Sequence, residues 1–558
     1  MKRKTSEKGK AWLKREMRPY RAFILFLSIL TVLTSLLSIA FAYLIRYLIN
    51  SATSGSEKQL VIFAAVLLGV LLLKIFVQTI SSYYAEKTRA RITSELRTKT
   101  FSSLLHSDYA SVQTYHSGDL LNRITSDVNE VAVDTVGIAP SIVGLAVQCV
   151  GAIAALLTLD PLFTAIYVAC GLIGGGISAL FRKHVKKCHT QFLEADGSVR
   201  SFMQESFTSL LTVKAYAAEK SSAKIAEDLS ETYYQKRMKR NVLRTLMQAV
   251  FTLLSNVGLI FAVVWCSVGL LSGRITDFGS ILSIVLLLNQ IQHPFSAFSS
   301  IIPVYYSRMA SGERLQELYD LPKEKADESV EEPSYDQLQN FSFDAVSFDY
   351  GRESVLKNAF CTLQKGKIVC VTGPSGSGKS TLFKMLLSVY APKEGEVNIH
   401  TENGKIPLTV NARSLFAYVP QGNFLFSGSI YENLTFFMKN KEEEGMQEKV
   451  KRAISLACAD FVFDLPNGLE TSLSECGGGL SEGQLQRLAI ARALLSERPV
   501  LLLDESTSAL DGETEKKVLQ NISQIEGKTC ILVTHRPAAL TIADTVLEVK
   551  DGQIQKIK

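Results

Sequence analysis

Closely paired cysteines and a strong charge of one sign are both missing from this 558-residue sequence. Its nine cysteines are scattered, and none of them forms a C-x-x-C pair. This pattern argues against a disulfide framework and against a zinc site. The net charge of +6 is small for this length and gives no indication of a nucleic-acid partner. The chain must therefore be interpreted from its apolar runs and its motifs.

Apolar residues are abundant and are concentrated in the first half of the chain. They make up 47% of the residues, against 20% charged residues, a mixture typical of a membrane domain joined to a soluble one. Six runs are long enough to cross a bilayer as helices. We therefore predict a transmembrane domain over residues 1–320, with spans at about 22–49, 61–84, 132–158, 161–182, 247–271 and 279–306.

Basic residues are concentrated on alternate connections between these runs. The N-terminal segment before residue 22 and the long connections 85–131 and 183–246 are basic, whereas the connection 50–60 is short and nearly uncharged. Basic segments of membrane proteins remain on the cytoplasmic side. We therefore predict a multi-pass protein of the cell membrane with both termini and the soluble domain in the cytoplasm.

Polar side chains inside membrane spans are informative because hydrocarbon makes them costly. Lys74 lies near the middle of the second span, and Asn289, Gln290, Gln292 and His293 cluster in the sixth. One interpretation is a cavity, neutral to positive, for a substrate with a carboxylate or many amide groups. The other interpretation is hydrogen bonding between helices. The sequence leaves both open.

A soluble domain is predicted over residues 341–558, after an acidic, proline-containing linker over 321–340. Its stretch KIVCVTGPSGSGKST combines a short apolar strand with G-x-x-x-x-G-K-[ST], the pattern of a phosphate-binding loop. Lys379 is placed to reach the β- and γ-phosphates, and the Ser380 hydroxyl to ligate magnesium. The predicted loop residues are Gly373, Pro374, Ser375, Gly376, Ser377, Gly378, Lys379, Ser380 and Thr381.

Two further apolar strands of this domain end in side chains that can take part in catalysis. The run from Val500 to Leu503 leads into Asp504 and Glu505, and ILVTH ends in His535. Ligands of open α/β sheets bind at the carboxyl ends of the strands. We predict that Asp504 holds magnesium and that Glu505 acts on a water molecule. A single histidine is more often structural than catalytic, but its place after a buried strand makes His535 a catalytic candidate.

The order of these motifs resembles the ATPase domain of ABC transporters, and the whole chain resembles an exporter-type half-transporter of that family. VSFDYG resembles the loop that stacks adenine, YVPQGNFLFSGSIYENL the Q-loop, LSEGQ the LSGGQ signature, and SALD the D-loop. HSGDLLNRITSDV, ESFTSLLTVKAYAAE and MASGERLQELYDLP resemble exporter segments of the membrane domain. The resemblance therefore covers nearly the whole chain.

The resemblance implies roles for individual residues. Tyr350 would stack adenine, and Gln421 would join Ser380 and Asp504 as a contact of the metal. Further nucleotide contacts are implied for Ser481, Gly483, Gln484 and Asp511. The segment TSLSECG resembles the one that precedes the signature in exporters, which implies that Glu475 lies near a coupling helix. Cys476 departs from the arginine usual there.

The resemblance also implies a fold class and an assembly. The fold would be an α-helical transmembrane domain, with long cytoplasmic extensions, plus an α/β P-loop ATPase domain with a helical signature subdomain. One subunit would supply the phosphate loop and catalytic residues, and its partner the signature, so a homodimer using ATP and Mg²⁺ is expected. It would export a peptide, a drug-like amphiphile or a lipid. A heterodimeric exporter and an ATP-gated protein that does not pump are the alternatives.

Glu482 departs from the signature, in which a glycine stands at this place. Ser481 can act as the N-cap of a helix that begins at Glu482, and Gln484 completes an S-x-x-Q capping box. A carboxylate in the first helical turn is favoured by the helix dipole, typically by about 0.3–1 kcal/mol. We therefore predict that the Glu482 side chain supports the helix end and points away from the γ-phosphate.

Replacing Glu482 by glycine is expected to change ATP turnover by less than about tenfold, because an effect near 1 kcal/mol corresponds to a smaller rate change than that. The measurement is phosphate release by the purified protein. A larger change would place the Glu482 side chain in the phosphate site.

Overall fold

The computed structural model describes residues 2–272, 277–324, 334–351, 354–422, 425–438, 440, 443–474 and 479–558. These residues fall into two compact units. The first unit is Met1–Ser102 with Ser117–Tyr319, and the second is Ser103–His116 with Asp320–Lys558. The segment Ser103–His116, which the sequence predicts to belong to the transmembrane domain, is thus part of the second unit. Residues 325–333 of the predicted linker lie outside the described residues.

The helices include six of more than 30 residues, and shorter ones occur in both units. In chain order they are α1 (Lys2–Glu16), α2 (Arg21–Thr53), α3 (Glu57–Leu105), α4 (Tyr109–Val112), α5 (Ser117–Asn122), α6 (Val128–Leu159), α7 (Pro161–Thr208), α8 (Leu210–Ala215), α9 (Glu219–Leu271), α10 (Gly279–Tyr319), α11 (Lys379–Leu386), α12 (Ile430–Thr435), α13 (Met446–Leu456), α14 (Glu482–Leu495), α15 (Gly512–Ser523) and α16 (Pro537–Ile542).

Helices of the first unit are long and apolar enough to cross a membrane. The start of α10, Gly279–Gln292, is a shorter apolar stretch, and the predicted span 161–182 lies inside α7. The chain is therefore a multi-pass membrane protein, and the arrangement of six spans stays a prediction. By length and composition, four segments among the described residues qualify as spans: Arg18–Thr53, Glu57–Leu105, Ser117–Leu159 and Glu219–Leu271.

Asp160 forms the turn between two of these helices, because α6 ends at Leu159 and α7 begins at Pro161. Proline suits the first position of a helix, where its missing N–H costs nothing. One Asp160 carboxylate oxygen accepts a hydrogen bond from the Phe163 amide at 3.0 Å, as an N-cap does. The other accepts from Trp265 Nε1 of α9 at 2.9 Å. The Asp160 side chain therefore caps the N-terminus of α7 and joins α7 to α9 by a hydrogen bond.

An ion pair between a buried aspartate and a partly exposed arginine fastens α10 to the residues that precede α6. Arg123–Asp127 form a single π-helical turn, a geometry common at functional sites. Asp127 is 2% exposed and accepts two hydrogen bonds from Arg314, one of them 2.7 Å from Nε. Ser311 donates to the same carboxylate at 3.1 Å. Because a buried charge needs a partner, this pair holds the two helices in register.

Among the described residues, the strands all lie in the second unit. They are β1 (Leu338–Asp349), β2 (Ser354–Gln364), β3 (Ile368–Thr372), β4 (Glu394–Thr401), β5 (Gly404–Pro407), β6 (Phe416–Val419), β7 (Gly428–Ser429), β8 (Ser472–Leu473), β9 (Val500–Asp504), β10 (Thr529–Val533), β11 (Thr545–Lys550) and β12 (Gln553–Lys556).

Two main sheets organise this unit. One is antiparallel with the order β2-β1-β4-β5. The other has the order β12-β11-β3-β10-β9-β6 and is parallel except for β12. Every residue of β9 is buried, as a strand covered on both faces requires. Leu501 and Leu503 pack in one hydrophobic cluster and Val500 and Leu502 in another. The predicted fold class, a helical membrane domain plus an α/β domain, is confirmed.

Replacing Arg314 by alanine is expected to lower the free energy of unfolding by roughly 1–3 kcal/mol, because the buried Asp127 carboxylate would lose two hydrogen bonds from a charged partner that is itself 44% exposed and screened by water. Thermal unfolding of the detergent-purified protein measures this. Arg15→Ala is the control, since that arginine is 72% exposed and pairs with Glu16 at the surface, where an ion pair contributes about 1 kcal/mol at most. Equal effects of the two substitutions would contradict the account.

Candidate ATP site

The loop between β3 and α11 is wrapped around the ammonium group of Lys379. Lys379 is 6% exposed, and its Nζ donates to the carbonyl oxygens of Gly373 at 2.7 Å and Pro374 at 2.9 Å. Gly373 has φ +139°, and a Cβ there would lie 2.2 Å from the Val549 carbonyl oxygen. Only glycine allows this close approach, which turns the chain from the strand into the loop.

The same loop holds a buried polar atom without a protein partner. The Ser377 Oγ is buried and makes no hydrogen bond to the described residues. A buried hydroxyl without a partner is costly, so its presence indicates a ligand. A phosphate oxygen is the acceptor that fits, because the backbone amides and dipole of the α11 N-terminus favour an anion there. The residues present therefore fit a nucleotide phosphate.

The predicted cation ligands lie where α11 begins and β9 ends. The Ser380 hydroxyl donates to Asp504 Oδ1 at 3.2 Å, and the Tyr418 hydroxyl donates to Oδ2 at 3.3 Å. Asp504 is 2% exposed, and burial raises the pKa of its carboxyl group. Oxygen ligands of this kind suit Mg²⁺, whose charge would compensate the buried carboxylate. The predicted metal ligands Ser380 and Asp504 are thus brought together.

Glu505 follows β9 and is held next to the Q-loop glutamine. Gln421 Nε2 donates to Glu505 Oε2 at 2.8 Å. The Glu505 backbone has φ +48°, an unusual value for a residue with a side chain, and such strain is common at functional sites. Its amide donates to the Val533 carbonyl oxygen at 3.1 Å. His535 follows the neighbouring strand β10, with Nδ1 3.5 Å from Thr372 Oγ1.

Tyr350 has an exposed ring beside the phosphate loop. It is 50% exposed, and its hydroxyl lies 3.0 Å from Thr381 Oγ1, with either atom able to donate. Edge-on contacts with Phe348 and Tyr390, at centroid distances of 4.9 and 5.4 Å, hold the ring. The exposed face is a suitable surface for a stacked base.

The signature begins a helix with the predicted capping box. Gln484 N donates to Ser481 Oγ at 3.3 Å, and Ser481 N donates to Gln484 Oε1 at 2.8 Å. Glu482 is the first residue of α14 and is exposed. Glu475, Cys476 and Gly477 lie outside the described residues. Within the part of the chain that the structure describes, no hydrogen bond joins Ser481 or Gly483 to residues 373–381.

Gly483 instead packs on the D-loop of its own chain. A Cβ at Gly483 would lie 2.8 Å from the Ala509 carbonyl oxygen. Gln486, one turn along α14, accepts from the Ala509 amide at 3.0 Å and donates to Ser508 Oγ at 3.1 Å. Asp511 closes the loop as the N-cap of α15, accepting from the Glu513 and Thr514 amides. Hydrogen bonding from Thr514 lowers the pKa of the Asp511 carboxyl group.

Sequence reasoning missed Tyr418, Gln486 and Arg536. Tyr418 lies on β6, beside β9, so only the sheet order places it at Asp504. Arg536 follows His535 and donates to the Leu510 carbonyl oxygen at 2.6 Å. The signal that could have drawn attention to all three is their position in the sequence, because each follows or precedes a predicted site residue by one to three places.

The glutamines predicted to line a membrane cavity make contacts between helices. Gln290 Nε2 donates to the Ser38 carbonyl oxygen at 2.8 Å. Gln292 Nε2 donates to the Tyr167 hydroxyl and to the Ser255 carbonyl oxygen, both at 3.3 Å. These bonds favour the interhelical interpretation for the two amides. Asn289 is exposed and Lys74 half-buried, and the side chain of His293 lies outside the described residues.

The sequence matches two families along most of its length. Residues 24–295 match the family described as "ABC transporter transmembrane region", and residues 356–508 match the one described as "ABC transporter". A Bacillus subtilis protein, "Probable multidrug resistance ABC transporter ATP-binding/permease protein YheI", is 30% identical over 478 residues, covering 82% of this chain and 78% of that protein. The chain belongs to the ABC transporters.

Two other similarities agree with this membership. The "ATP-dependent lipid A-core flippase" of Aliivibrio fischeri is 28% identical over 485 residues, which cover 85% of this chain and 81% of the flippase. The solved structure of a bacterial Atm1-family ABC exporter with ATP bound aligns with a TM-score of 0.79 at 22% identity, over 97% of this chain and 95% of that one. This ABC transporter therefore has the exporter fold, binds nucleotide and couples ATP hydrolysis to transport.

Replacing Asp504 by asparagine is expected to raise the melting temperature of the nucleotide-free transporter by roughly 2–4 °C. Burial raises the pKa of this carboxyl group, which means that the charged form is disfavoured at neutral pH, and asparagine removes the charge at nearly constant shape. The same substitution should abolish stabilisation by Mg²⁺ with ATP. Thermal unfolding with and without both ligands measures these effects.

Asp511→Asn is the matched control. The pKa of the Asp511 carboxyl group is lowered by hydrogen bonds to its charged form, so loss of that charge should not stabilise the protein. If Asp504→Asn instead lowers the melting temperature without ligands, the charged Asp504 carboxylate stabilises the nucleotide-free protein, and the prediction is wrong.

Proposed function

We propose that this ABC transporter works as a homodimer that exports an amphiphilic substrate, either a peptide, a drug-like amphiphile or a lipid, from the cytoplasmic side of the membrane. One observation carries the proposal. Each chain has one phosphate loop and one signature, and Gly483 packs on Ala509 of its own D-loop, while the described residues contain no hydrogen bond from Ser481 to the phosphate loop. Two chains are therefore needed for a complete site, with the signature of one facing the phosphate loop of the other.

The binding roles follow from the contacts in each chain. ATP supplies the transferable phosphoryl group, and Mg²⁺ would neutralise the charge that develops on it. Lys379 and the buried Ser377 hydroxyl would bind phosphate oxygens, and Tyr350 would stack the adenine. Ser380 and Asp504 would hold the cation, with Gln421 as the third ligand proposed from the family resemblance.

Glu505 is the proposed general base. Its carboxylate accepts from Gln421 at 2.8 Å, so the amide both orients the carboxylate and links it to the cation site. Glu505 would take the proton of the attacking water. His535, at the end of the adjacent strand, would contact the reacting phosphate. Gln484 would support Ser481 at the partner's site through the capping box, and Asp511 would hold the D-loop that lies beside it.

Coupling to transport requires contacts that differ between nucleotide states. A γ-phosphate held by Lys379 of one subunit and Ser481 of the other closes the dimer, and its removal takes that connection away. Basic connections between the membrane helices support a cytoplasmic location of the ATPase domain. Relatives named for multidrug resistance and for lipid A-core, an amphiphile, support an amphiphilic substrate. The half-buried Lys74 is the proposed contact for a substrate carboxylate.

Replacing Glu505 by glutamine is expected to lower ATP turnover about 10²–10⁴-fold while ATP binding is kept, since a general base contributes that much and the amide keeps the size of the side chain. Phosphate release and binding of labelled ATP are the two measurements. Glu526→Gln, at an exposed carboxylate outside the site, is the control and should retain wild-type turnover. If Glu505→Gln retains it as well, another group is the base.

Export is tested in proteoliposomes with the ATPase domains outward. Uptake of labelled lipid A, a hydrophobic peptide or a cationic dye is compared with and without ATP. ATP-dependent uptake that Glu505→Gln abolishes supports an exporter. ATP turnover without uptake of any probe would favour the ATP-gated protein that does not pump.

A further inference from the structure

Tyr418 approaches the proposed cation residues from strand β6. Its hydroxyl group donates to Asp504 Oδ2 at 3.3 Å, whereas the Ser380 hydroxyl donates to Oδ1 at 3.2 Å. Among the described residues, each carboxylate oxygen of Asp504 therefore accepts from one hydroxyl group. Asp504 is 2% exposed, so the loss of either donor would leave a buried acceptor without a partner.

The register of β6 explains why the Tyr418 hydroxyl reaches Asp504. Tyr418 pairs with Leu502 in the parallel ladder between β6 and β9. Asp504 lies two residues beyond Leu502, and hence on the same face of β9 and about 6.6 Å farther along the strand. A tyrosine that leans along the strand can cover this distance with its hydroxyl group, whereas a short polar side chain such as serine cannot.

The ring of Tyr418 is also held by helix α11. It meets the ring of Phe383 edge-on, with a centroid distance of 6.3 Å and an interplanar angle of 86°. Phe383 is fully buried and belongs to the same hydrophobic cluster as Leu502. Because α11 also carries Ser380, one packed core fixes the two hydroxyl donors of Asp504 relative to each other.

Two donors on different oxygens fix the plane of a carboxylate group. The last torsion angle of an aspartate side chain is broad, so the bond from Ser380 alone would leave the Asp504 carboxylate free to rotate about it. The Ser380 hydroxyl has one proton and two lone pairs, and it can bond to Oδ1 and still offer a lone pair to a cation. The bond from Tyr418 to Oδ2 supplies the second point of attachment.

We propose that Tyr418 is a positioning residue that orients the Asp504 carboxylate for Mg²⁺ and thereby raises the affinity of the ATP site for this cation. The inference rests on the proposed function, because it takes Asp504 as a residue that holds the cation. Among the described residues, the hydroxyl of Tyr418 has its hydrogen bond with Asp504, so its effect passes through that side chain. The nearby bond from Gln421 to Glu505 at 2.8 Å holds the other acid of the site.

The test is the effect of Mg²⁺ on the binding of a labelled, non-hydrolysable ATP analogue to the full-length transporter in lipid nanodiscs. The dissociation constant is measured in EDTA and in saturating Mg²⁺. By linkage, the ratio of the first constant to the second compares the Mg²⁺ affinity of the bound nucleotide with that of the free nucleotide. We call this ratio the magnesium factor.

Tyr418→Phe keeps the ring and removes the hydroxyl group. It is expected to lower the magnesium factor by about 10- to 100-fold, the usual effect of removing an outer contact of a metal ligand. The dissociation constant in EDTA should change by less than about twofold, because the phosphate loop keeps its own contacts. That constant also shows that the variant is folded and binds nucleotide.

A double-mutant cycle distinguishes a positioning role from a general structural one. Asp504→Asn should lower the magnesium factor at least as much as Tyr418→Phe does. In the Asp504→Asn background, Tyr418→Phe should cause no further loss, because its effect passes through the carboxylate. Tyr335→Phe is the matched control, since it removes a hydroxyl that donates to the Gly527 carbonyl oxygen at 2.6 Å in the same unit, and it should leave the factor unchanged.

The outcomes separate the inference from the function on which it rests. If Asp504→Asn keeps the wild-type magnesium factor, Asp504 does not hold the cation, and its proposed role fails together with the inference. If Asp504→Asn lowers the factor but Tyr418→Phe keeps it, the inference alone is wrong. An equally large loss from Tyr418→Phe in the Asp504→Asn background would also overturn the inference, because Tyr418 would then act on another group.

Discussion

The parallel pairing of β3, β10 and β9 is the constraint on which the rest of the ATP site depends. Parallel strands present their carboxyl ends at one edge of a sheet, and here those ends carry the phosphate loop, His535, and Asp504 with Glu505. β9 is buried along its whole length, so its end cannot move independently of the core. Because β6 pairs with β9, Tyr418 of β6 lies close enough to donate a hydrogen bond to Asp504. The site is thus built from groups distant in sequence but fixed by one set of backbone hydrogen bonds.

A second set of contacts holds the parts that are proposed to face a partner subunit. Gln486 of the signature helix accepts a hydrogen bond from the Ala509 amide of the D-loop. Arg536, the residue after His535, donates to the Leu510 carbonyl oxygen. Arg536 also pairs with Glu515, which is 2% exposed. Signature, D-loop and the His535 strand end therefore form one packed group in each chain. In the proposed dimer, His535 belongs to the site at its own chain's phosphate loop, and Ser481 belongs to the site at the partner's phosphate loop. This packed group would therefore connect the two ATP sites.

Sequence and structure agree where a short stretch of chain decides the geometry. The capping box at Ser481 and the phosphate loop at Gly373–Thr381 depend on local backbone preferences, which a sequence expresses directly. The contacts of Tyr418 and Tyr390 could not be predicted, because they arise from the strand order and from packing within the second unit. Local pattern also leaves open whether an amide in a membrane helix lines a cavity or bonds to a neighbouring helix. At Gln290 the hydrogen bond to the Ser38 carbonyl oxygen favours the second interpretation.

The most direct test of the shared site is complementation between two defective chains. Lys379→Ala disables the phosphate loop, and Ser481→Ala disables the signature. In a mixed dimer of the two, one composite site keeps both wild-type halves. The measurement is nucleotide retained after trapping with vanadate and Mg²⁺. The account predicts up to one trapped nucleotide per mixed dimer and none in either mutant homodimer. Mixed dimers that trap none, beside a wild type that traps nucleotide, would contradict a site formed between two chains.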